Sequence, residues 1–443
     1  MSLSKIVLVN DGDPHEPRGY TPKPTGIQQL TQRLGVRARE VYELGATRSL
    51  FRAGWELRMR SGLDAQRDRL LPTKDWHARA HPRSFQFALR RLFPESTAHQ
   101  AGQSTLDAAE RILGGEFLAF SRHWLAVGPT IEWNVCPRDG KAWPTVHGTK
   151  VLRHQSEHED IKWTWELGRF PHFYPLRRAA LAEPSLLTPC AERVWQDILS
   201  FIESQSVGYG VHWVSSQEVV FRLMSWAFAL PMVIEAQVGE EHDWLRVEAA
   251  FMQAGEHVRR YFAYAKYAVY NNHLLAEALG LVLVDRLTAS PATRDWGELG
   301  RYEFAQGVAR QFLDEGAYVQ MSHNYHRVAL QLLLWGHRLD IDRSVLRPPM
   351  KRSGDFLRAQ MDRLTGRLPN YGPNDGAHIS PLADGDYSDF RPTLEACAWL
   401  ADEASAFGEG PWQEEAEWWG ISRPDAKLPE PELGLQSFQP SGF

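Results

Sequence analysis

Residues 270–277 read YNNHLLAE, so two asparagines and a histidine stand at the mouth of a long apolar run. Residues 319–330, VQMSHNYHRVAL, set Ser322, Asn324, Tyr325, His326 and Arg327 at a second helix entrance. GYGVHWVSSQEVVFRLMSW places Trp213, Ser215 and Glu218 at a third, and the turn-rich PNYGPNDGAHIS carries Asn370, Tyr371, Asn374 and Asp375. Helix N-termini present free N–H groups and partial positive charge, and so favour anions. Several entrances opening toward one cleft would hold a carboxylate-bearing ligand, with Asn, His, Tyr and Arg supplying hydrogen bonds and a mobile proton. Acidic sugars are suitable ligands for such a cleft.

Part of this pattern has an ordinary structural explanation. Ser215-x-x-Glu218 reads as a capping box. Asn271 suits an N-cap, and Ser322 suits another. Capping accounts for one asparagine and leaves Asn272 and His273 unexplained. It does not call for Tyr325, His326 and Arg327 in succession either. Three carboxylates, Glu166, Glu218 and Asp375, keep a different chemistry open. Glycoside hydrolysis needs two such groups about 5–9.5 Å apart across a cleft.

His154 and His158 lie four apart in RHQSEHED with Glu157 and Asp160 nearby, a spacing that can hold zinc. The stretch is polar throughout and reads as a solvated loop, so neither a metal nor a cofactor is expected. A Gly-rich phosphate loop, a nucleophile elbow and a nucleotide fingerprint are all missing. Cys136, Cys190 and Cys397 are scattered and odd in number. They fit buried small hydrophobes better than a disulfide framework.

The elements that carry these residues are helical. From Gly26 to about Gly114 the apolar spacing is that of helices. Residues 115–160 are irregular and read as a long structured loop. Beyond Asp160 one helix pattern follows another to about residue 420, with almost no period-two alternation until the last residues. LLAEALGLVLV and VALQLLLWG are apolar on most of their surface, as helices packed on all sides are; others are amphipathic. Alternating buried and half-exposed helices predict an all-α fold, an incomplete (α/α) toroid of helical hairpins with an N-terminal extension. The expected divisions are an extended arm at 1–25 and N-terminal helices with the structured loop at 26–160. The toroid follows at 161–425, then a linker at 426–443.

Hydrophobic residues make up 43% of the 443 and charged residues 23%, a globular balance. A net charge of -6 argues against a broad basic surface for nucleic acid. The seventeen tryptophans suit a helical core first and sugar stacking second. No run of about 18 apolar residues suggests a membrane span. The opening MSLSKIVLVNDGDPHEP has an apolar stretch too short for a signal-peptide core.

Six stretches, IEWN, DIKWTWELGRFPHFYPLRRA, GVHWVSSQEVVFRLMSW, NNHLLAEALGLVL, EGAYVQMSHNYHR and NYGPNDG, occur in an order that resembles the heparinase II/III and oligo-alginate lyase superfamily of polysaccharide lyases. The resemblance covers roughly residues 45–420 and concerns the helical toroid of that family. FRAGWELRMRSGL also resembles members associated with bacterial exopolysaccharide clusters. The resemblance implies β-elimination at a uronic acid, with Asn272, His273 and Tyr325 as the reaction centre. Asn272 and His273 would neutralise the C6 carboxylate, and Tyr325 would move protons. A free tyrosine titrates near 10, so a tyrosinate base needs a neighbouring cation such as Arg327 or a protonated histidine. Trp163, Glu166, Arg169, Trp213, Glu218, Arg222, His326, Arg327 and Asn374 would bind substrate, an acidic polysaccharide. Family members continue into a C-terminal β-sandwich, and LGLQSFQPSGF resembles the strand that leads into it. The resemblance also implies a periplasmic or secreted setting. A toroid that binds acidic glycans or assists exopolysaccharide assembly without cleaving is the non-enzymatic alternative.

Overall fold

The computed structural model describes residues 46–70, 75–94, 101–269, 271–288 and 290–424. The expected arm at 1–25 and linker at 426–443 lie outside these residues. The chain divides into two compact units, residues 1–60 and 61–443. α1 (Ala46–Ser61) belongs to the first as far as Arg60, and stacks Phe51 on Trp55 with ring centroids 5.7 Å apart.

The second unit carries the candidate site. Apart from one short turn of helix at Gly148–Val151, its helices begin with α2 (Leu63–Leu70), α3 (Pro82–Leu92), α4 (Gln103–Leu113), α5 (Lys162–Arg169), α6 (Phe173–Ala182), α7 (Leu187–Ser204) and α8 (Ser216–Glu235). They continue as α9 (Glu241–Tyr264), α10 (Asn272–Thr288), α11 (Arg294–Gln311), α12 (His323–Arg338), α13 (Arg343–Arg358), α14 (Arg391–Leu400) and α15 (Glu414–Trp418). Alternate helices pack on one another: α6 on α8, α8 on α10, α10 on α12 and α12 on α14. The intervening helices lie behind them: α7, α9 and α13 each pack on both chain neighbours, and α11 packs on α10 and α13. Two layers of helices in strict alternation are the incomplete (α/α) toroid that the hydrophobic pattern predicts.

Burial follows the layers. Almost every residue of α8 and α10 is buried, and each fully buried Leu, Val or Phe contributes roughly 1.5–3 kcal/mol. Glycine sets the close approach of these inner helices. A Cβ at Gly280 of α10 would stand 2.2 Å from Val220 of α8, and one at Gly300 of α11 would stand 2.4 Å from the Ala278 carbonyl of α10. α8 is long and apolar enough to cross a membrane, a feature the residue-by-residue reading passed over, and it is wholly buried in the helical layers.

The C-terminal halves of α8 and α12 meet at aromatic rings. Phe93, just past α3, packs edge-on against Phe228 of α8 at 5.3 Å and Trp335 of α12 at 5.4 Å. Arg178 of α6 reaches Glu414 of α15 in a paired contact at 2.7 and 2.5 Å, joining the first inner helix to the last element. That leaves the N-terminal entrances of α8, α10 and α12 to form the other end. Cys136, Cys190 and Cys397 are buried and unpaired, as expected. Burial pushes the Cys190 thiol up to about 12, out of nucleophilic range.

Among the described residues, one pair of strands interrupts the helices. β1 (Glu116–Ala119) and β2 (His123–Ala126) form an antiparallel hairpin with Ala119 opposite His123. The irregular pattern of this stretch predicts a structured loop, and the hairpin departs from that expectation. Its strands are four residues each, too short to establish a period of two.

Candidate active site

Ser322 caps α12. Its Oγ accepts from the Tyr325 backbone N–H at 3.2 Å and donates to the Pro373 carbonyl at 2.6 Å. His323 adds a backbone bond to the Tyr371 carbonyl at 3.1 Å and a ring bond to the Pro369 carbonyl at 2.7 Å. Gly372 lies at φ +72°, where a Cβ would come within 2.0 Å of the Met321 carbonyl, so only glycine permits this seating. The loop 369–376 is thereby fixed against the start of α12.

Its position brings Asp375 to Tyr325. The phenol donates to Asp375 Oδ2 at 2.6 Å, and the Lys162 ammonium pairs with the same oxygen at 3.0 Å. Asn324 Nδ2 donates to Asp375 Oδ1 at 3.3 Å. The Tyr387 hydroxyl lies 2.5 Å from Asn324 Oδ1 and 2.8 Å from Asn374 Oδ1. Burial, and after it the Asp375 charge, hold the Tyr325 phenol far above its ordinary value. Burial alone would raise Asp375. Lys162, the phenol and Arg169 together outweigh it and hold the carboxyl below the ordinary value. The pair therefore rests as phenol and carboxylate, with the shared proton on Tyr325.

A second cluster adjoins the first through α5. Arg169 grips Glu218 with Nε and Nη2 at 2.5 and 3.0 Å and Glu166 with Nη1 at 2.9 Å. Glu166 also accepts from the Phe120 backbone N–H at 2.8 Å, which ties the hairpin turn to the cluster. Burial raises Glu166, whereas two carboxylates outweigh burial to hold Arg169 charged. Both carboxylates are occupied by one guanidinium, so neither stands across open space as a hydrolase pair requires. This arrangement also overturns the capping-box expectation. Ser215 makes no side-chain capping bond, and Glu218 is drawn to Arg169.

The third group sits at the start of α10. Asn271 Oδ1 accepts from the His273 N–H at 3.0 Å, the capping role expected of the first asparagine. Asn272 is buried: its Nδ2 donates to Gln217 Oε1 at 2.7 Å, its backbone N–H points to Gln320 Oε1 at 3.4 Å, and its Oδ1 has no partner. These bonds link the entrances of α8 and α10 and the loop before α12. Turning the Asn272 and Gln217 amides over together keeps the bond between them, with Gln217 Nε2 donating to Asn272 Oδ1, and leaves the Asn272 Nδ2 as an open donor. His273 is half-buried, with Nδ1 3.8 Å from Glu277 Oε1 one turn on. Burial lifts the Glu277 carboxyl to about 7.

The remaining expected residues separate. Trp163 is half-buried against Phe120 at 4.9 Å and His123 at 5.5 Å, beside the first cluster. Arg222 and Trp213 are buried together, guanidinium to ring 5.1 Å, with Phe201 on another side of Arg222 at 4.5 Å. Burial lowers Arg222 to about 9. His326 lies in the core among Phe312, Tyr318 and Phe356, and burial lowers it to about 3. Arg327 is enclosed by the rings of Tyr387 and Phe390 and donates to the Tyr387 carbonyl. It does not serve as the cation beside Tyr325: residues two apart on a helix point in different directions. His158 stacks on Trp143 while His154 turns to Glu157, so the pair does not converge.

Lys162, Gln217, Gln320 and Tyr387 complete the site and were not singled out from sequence. Lys162 was legible: with Glu166 and Arg169 it repeats at i, i+4 and i+7, one face of α5.

No protein-family model matches the chain, and no curated protein matches it. Among solved structures, the chain is similar to the heparan sulfate lyase HepC from Pedobacter heparinus at 14% identity. That match covers 74% of this chain and 50% of that one, with a TM-score of 0.42. A mutant of HepC gives 13% identity over 78% and 51%, with a TM-score of 0.43. A heparinase III with methylated lysines gives 15% over 70% and 49%, with a TM-score of 0.40. The chain spans about half the length of these structures. In its helical fold it is similar to heparinase III and heparan sulfate lyases.

Proposed function

We propose that the chain is a polysaccharide lyase that cleaves a uronic-acid-containing glycan by β-elimination. The observation that carries this reading is the protonated Tyr325 phenol held by the Asp375 carboxylate, itself balanced by Lys162. The elimination needs a proton delivered to the departing O4, and Tyr325 is built to deliver one.

The other parts follow from the entrances. The N-terminus of α10 and the open amide of Asn272 receive the C6 carboxylate and stabilise the negative charge that builds there. The His273 imidazole takes the C5 proton. The electron pair of the C5–H bond becomes the C4–C5 double bond, the C4–O4 bond breaks, and O4 leaves with the Tyr325 proton. Lys162 then restores a proton through the Asp375 carboxylate. Glu166, Arg169 and Glu218 hold α5 against α8 and so fix Lys162.

The test is product mass. Elimination gives a new non-reducing end lighter by one water than hydrolysis does. A digest of at least one acidic polysaccharide, with alginate and heparan sulfate tried first, should carry the lighter species. Water-added fragments would refute the reading, and binding with no fragments would favour a non-catalytic glycan-binding protein.

A further inference from the structure

The hairpin turn beside the site is unusual in its backbone. Phe120 and Ser121 lie at φ +51° and +54°, conformations usually left to glycine or asparagine. The turn is closed by Arg122 N–H to the Ala119 carbonyl at 3.0 Å and held from below by Glu166 on the Phe120 N–H. It projects two side chains over the first cluster. Phe120 packs against Trp163, the neighbour of Lys162, and the exposed Arg122 lies over the Tyr387 ring at 4.7 Å.

A second exposed arginine reaches the same Trp163 ring that Phe120 packs against. The Arg138 guanidinium lies over the Trp163 ring at 4.9 Å. Neither Arg122 nor Arg138 forms an ion pair with a carboxylate among the described residues; Arg122 makes one bond, to the Ser388 hydroxyl at 2.6 Å. Arg169, by contrast, is consumed by two carboxylates. These two are instead held in place by aromatic faces: no carboxylate among the described residues occupies the Arg138 fork, and Arg122 gives only Nη2 to Ser388, with its charge also felt by Asp386. Stacking fixes the plane of a guanidinium while leaving its edge for a planar or tetrahedral anion.

We propose that Arg122 and Arg138, carried by the hairpin turn and by Trp163, form an anion-binding subsite for acidic sugars of the same chain as the residue at Tyr325. The group recognised is a carboxylate or a sulfate. The subsite extends the glycan reading above but concerns binding, so it can be tested apart from cleavage.

The experiment measures affinity with Tyr325→Phe as the common parent, so that no glycan is consumed. R122Q, R138Q and the double variant are titrated with an alginate hexasaccharide, which carries carboxylates only, and a heparan sulfate hexasaccharide, which carries sulfates too. Each substitution should weaken binding about tenfold. It should also flatten the slope of log Kd against log salt by about one, since one fewer counterion is released. A loss with both glycans assigns the subsite to carboxylates, and a loss with heparan sulfate alone assigns it to sulfates. Unchanged affinity and slope with both glycans, or a parent that binds neither, would overturn the proposal. Arginine-dependent binding by a chain that never cleaves would leave the subsite standing and remove only the lyase reading. R122K and R138K keep the charge without the fork, and should recover less than half of the lost binding energy.

Discussion

The Tyr325 hydroxyl donates to Asp375 Oδ2 across 2.6 Å, and the two residues come from elements fifty positions apart. The bond exists because Ser322 and Gly372 seat the loop on the start of α12. Replacing Asp375 by Asn removes the charge that, after burial, holds the phenol protonated. Tyrosinate should then appear at lower pH in a spectrophotometric titration, and turnover should fall about a hundredfold. The folded pKa of Asp375 is depressed, so its stabilising effect is present above the ordinary value of about 3.9. That effect is lost as pH falls through the folded value. D375N should therefore cost stability at pH 7 and none near pH 2. Wild-type turnover in D375N would remove Asp375 from the mechanism.

Glu277 gives a prediction of opposite sign. Burial raises its carboxyl to about 7, while an unfolded Glu titrates near 4.3. The folded chain binds the extra proton between these values, so stability from this group is full below about 4.3 and lost as pH rises toward about 7. Glu277→Gln should raise stability at pH 8 by about 2 kcal/mol and slow the reaction about tenfold by releasing His273. Denaturant melts at pH 5 and pH 8 read the first effect; a variant less stable than wild type at pH 8 would contradict it.

Arg169 holds two buried carboxylates. Arg169→Met leaves both without a partner and should cost about 3–5 kcal/mol in chemical denaturation. Arg169→Lys should recover little, because an ammonium cannot reproduce the fork that meets Glu218 with two nitrogens. Full rescue by lysine would mean that charge alone matters there.

The hairpin turn predicts a stabilising change. Ser121 occupies φ +54°, at a cost of about 1–2 kcal/mol for a residue with a Cβ. Glycine removes that cost and pays part of it back in unfolded-chain entropy. Ser121→Gly should gain roughly 0.5–1 kcal/mol in denaturant melts, whereas a loss would show that the serine side chain stabilises the turn.

The fold was legible because long helices repeat their apolar pattern many times, and α8 and α10 are apolar all round because they are packed all round. The caps at Asn271 and Ser322 were legible as well, since a cap is a local interaction. Long-range partners were not. Glu218 looked like half of a capping box, and its position was decided by Arg169, forty-nine residues away. His326 and Arg327 looked like cleft residues beside Tyr325, but helical rotation turns them into the core. Asp375 was visible only as a loop carboxylate, because nothing in its neighbours names Tyr325 or Lys162 as partners.

The central claim is that Tyr325 delivers the proton in an elimination. β-Elimination leaves a C4–C5 double bond conjugated to the carboxylate, which absorbs in the ultraviolet. The decisive measurement is the ultraviolet progress curve of this chain and of Tyr325→Phe on a panel of acidic polysaccharides: alginate, heparan sulfate, chondroitin, hyaluronate and bacterial exopolysaccharides. The account predicts a rise on at least one glycan and its loss, by about a thousandfold or more, in Tyr325→Phe. A rise that persists in the folded variant would contradict it.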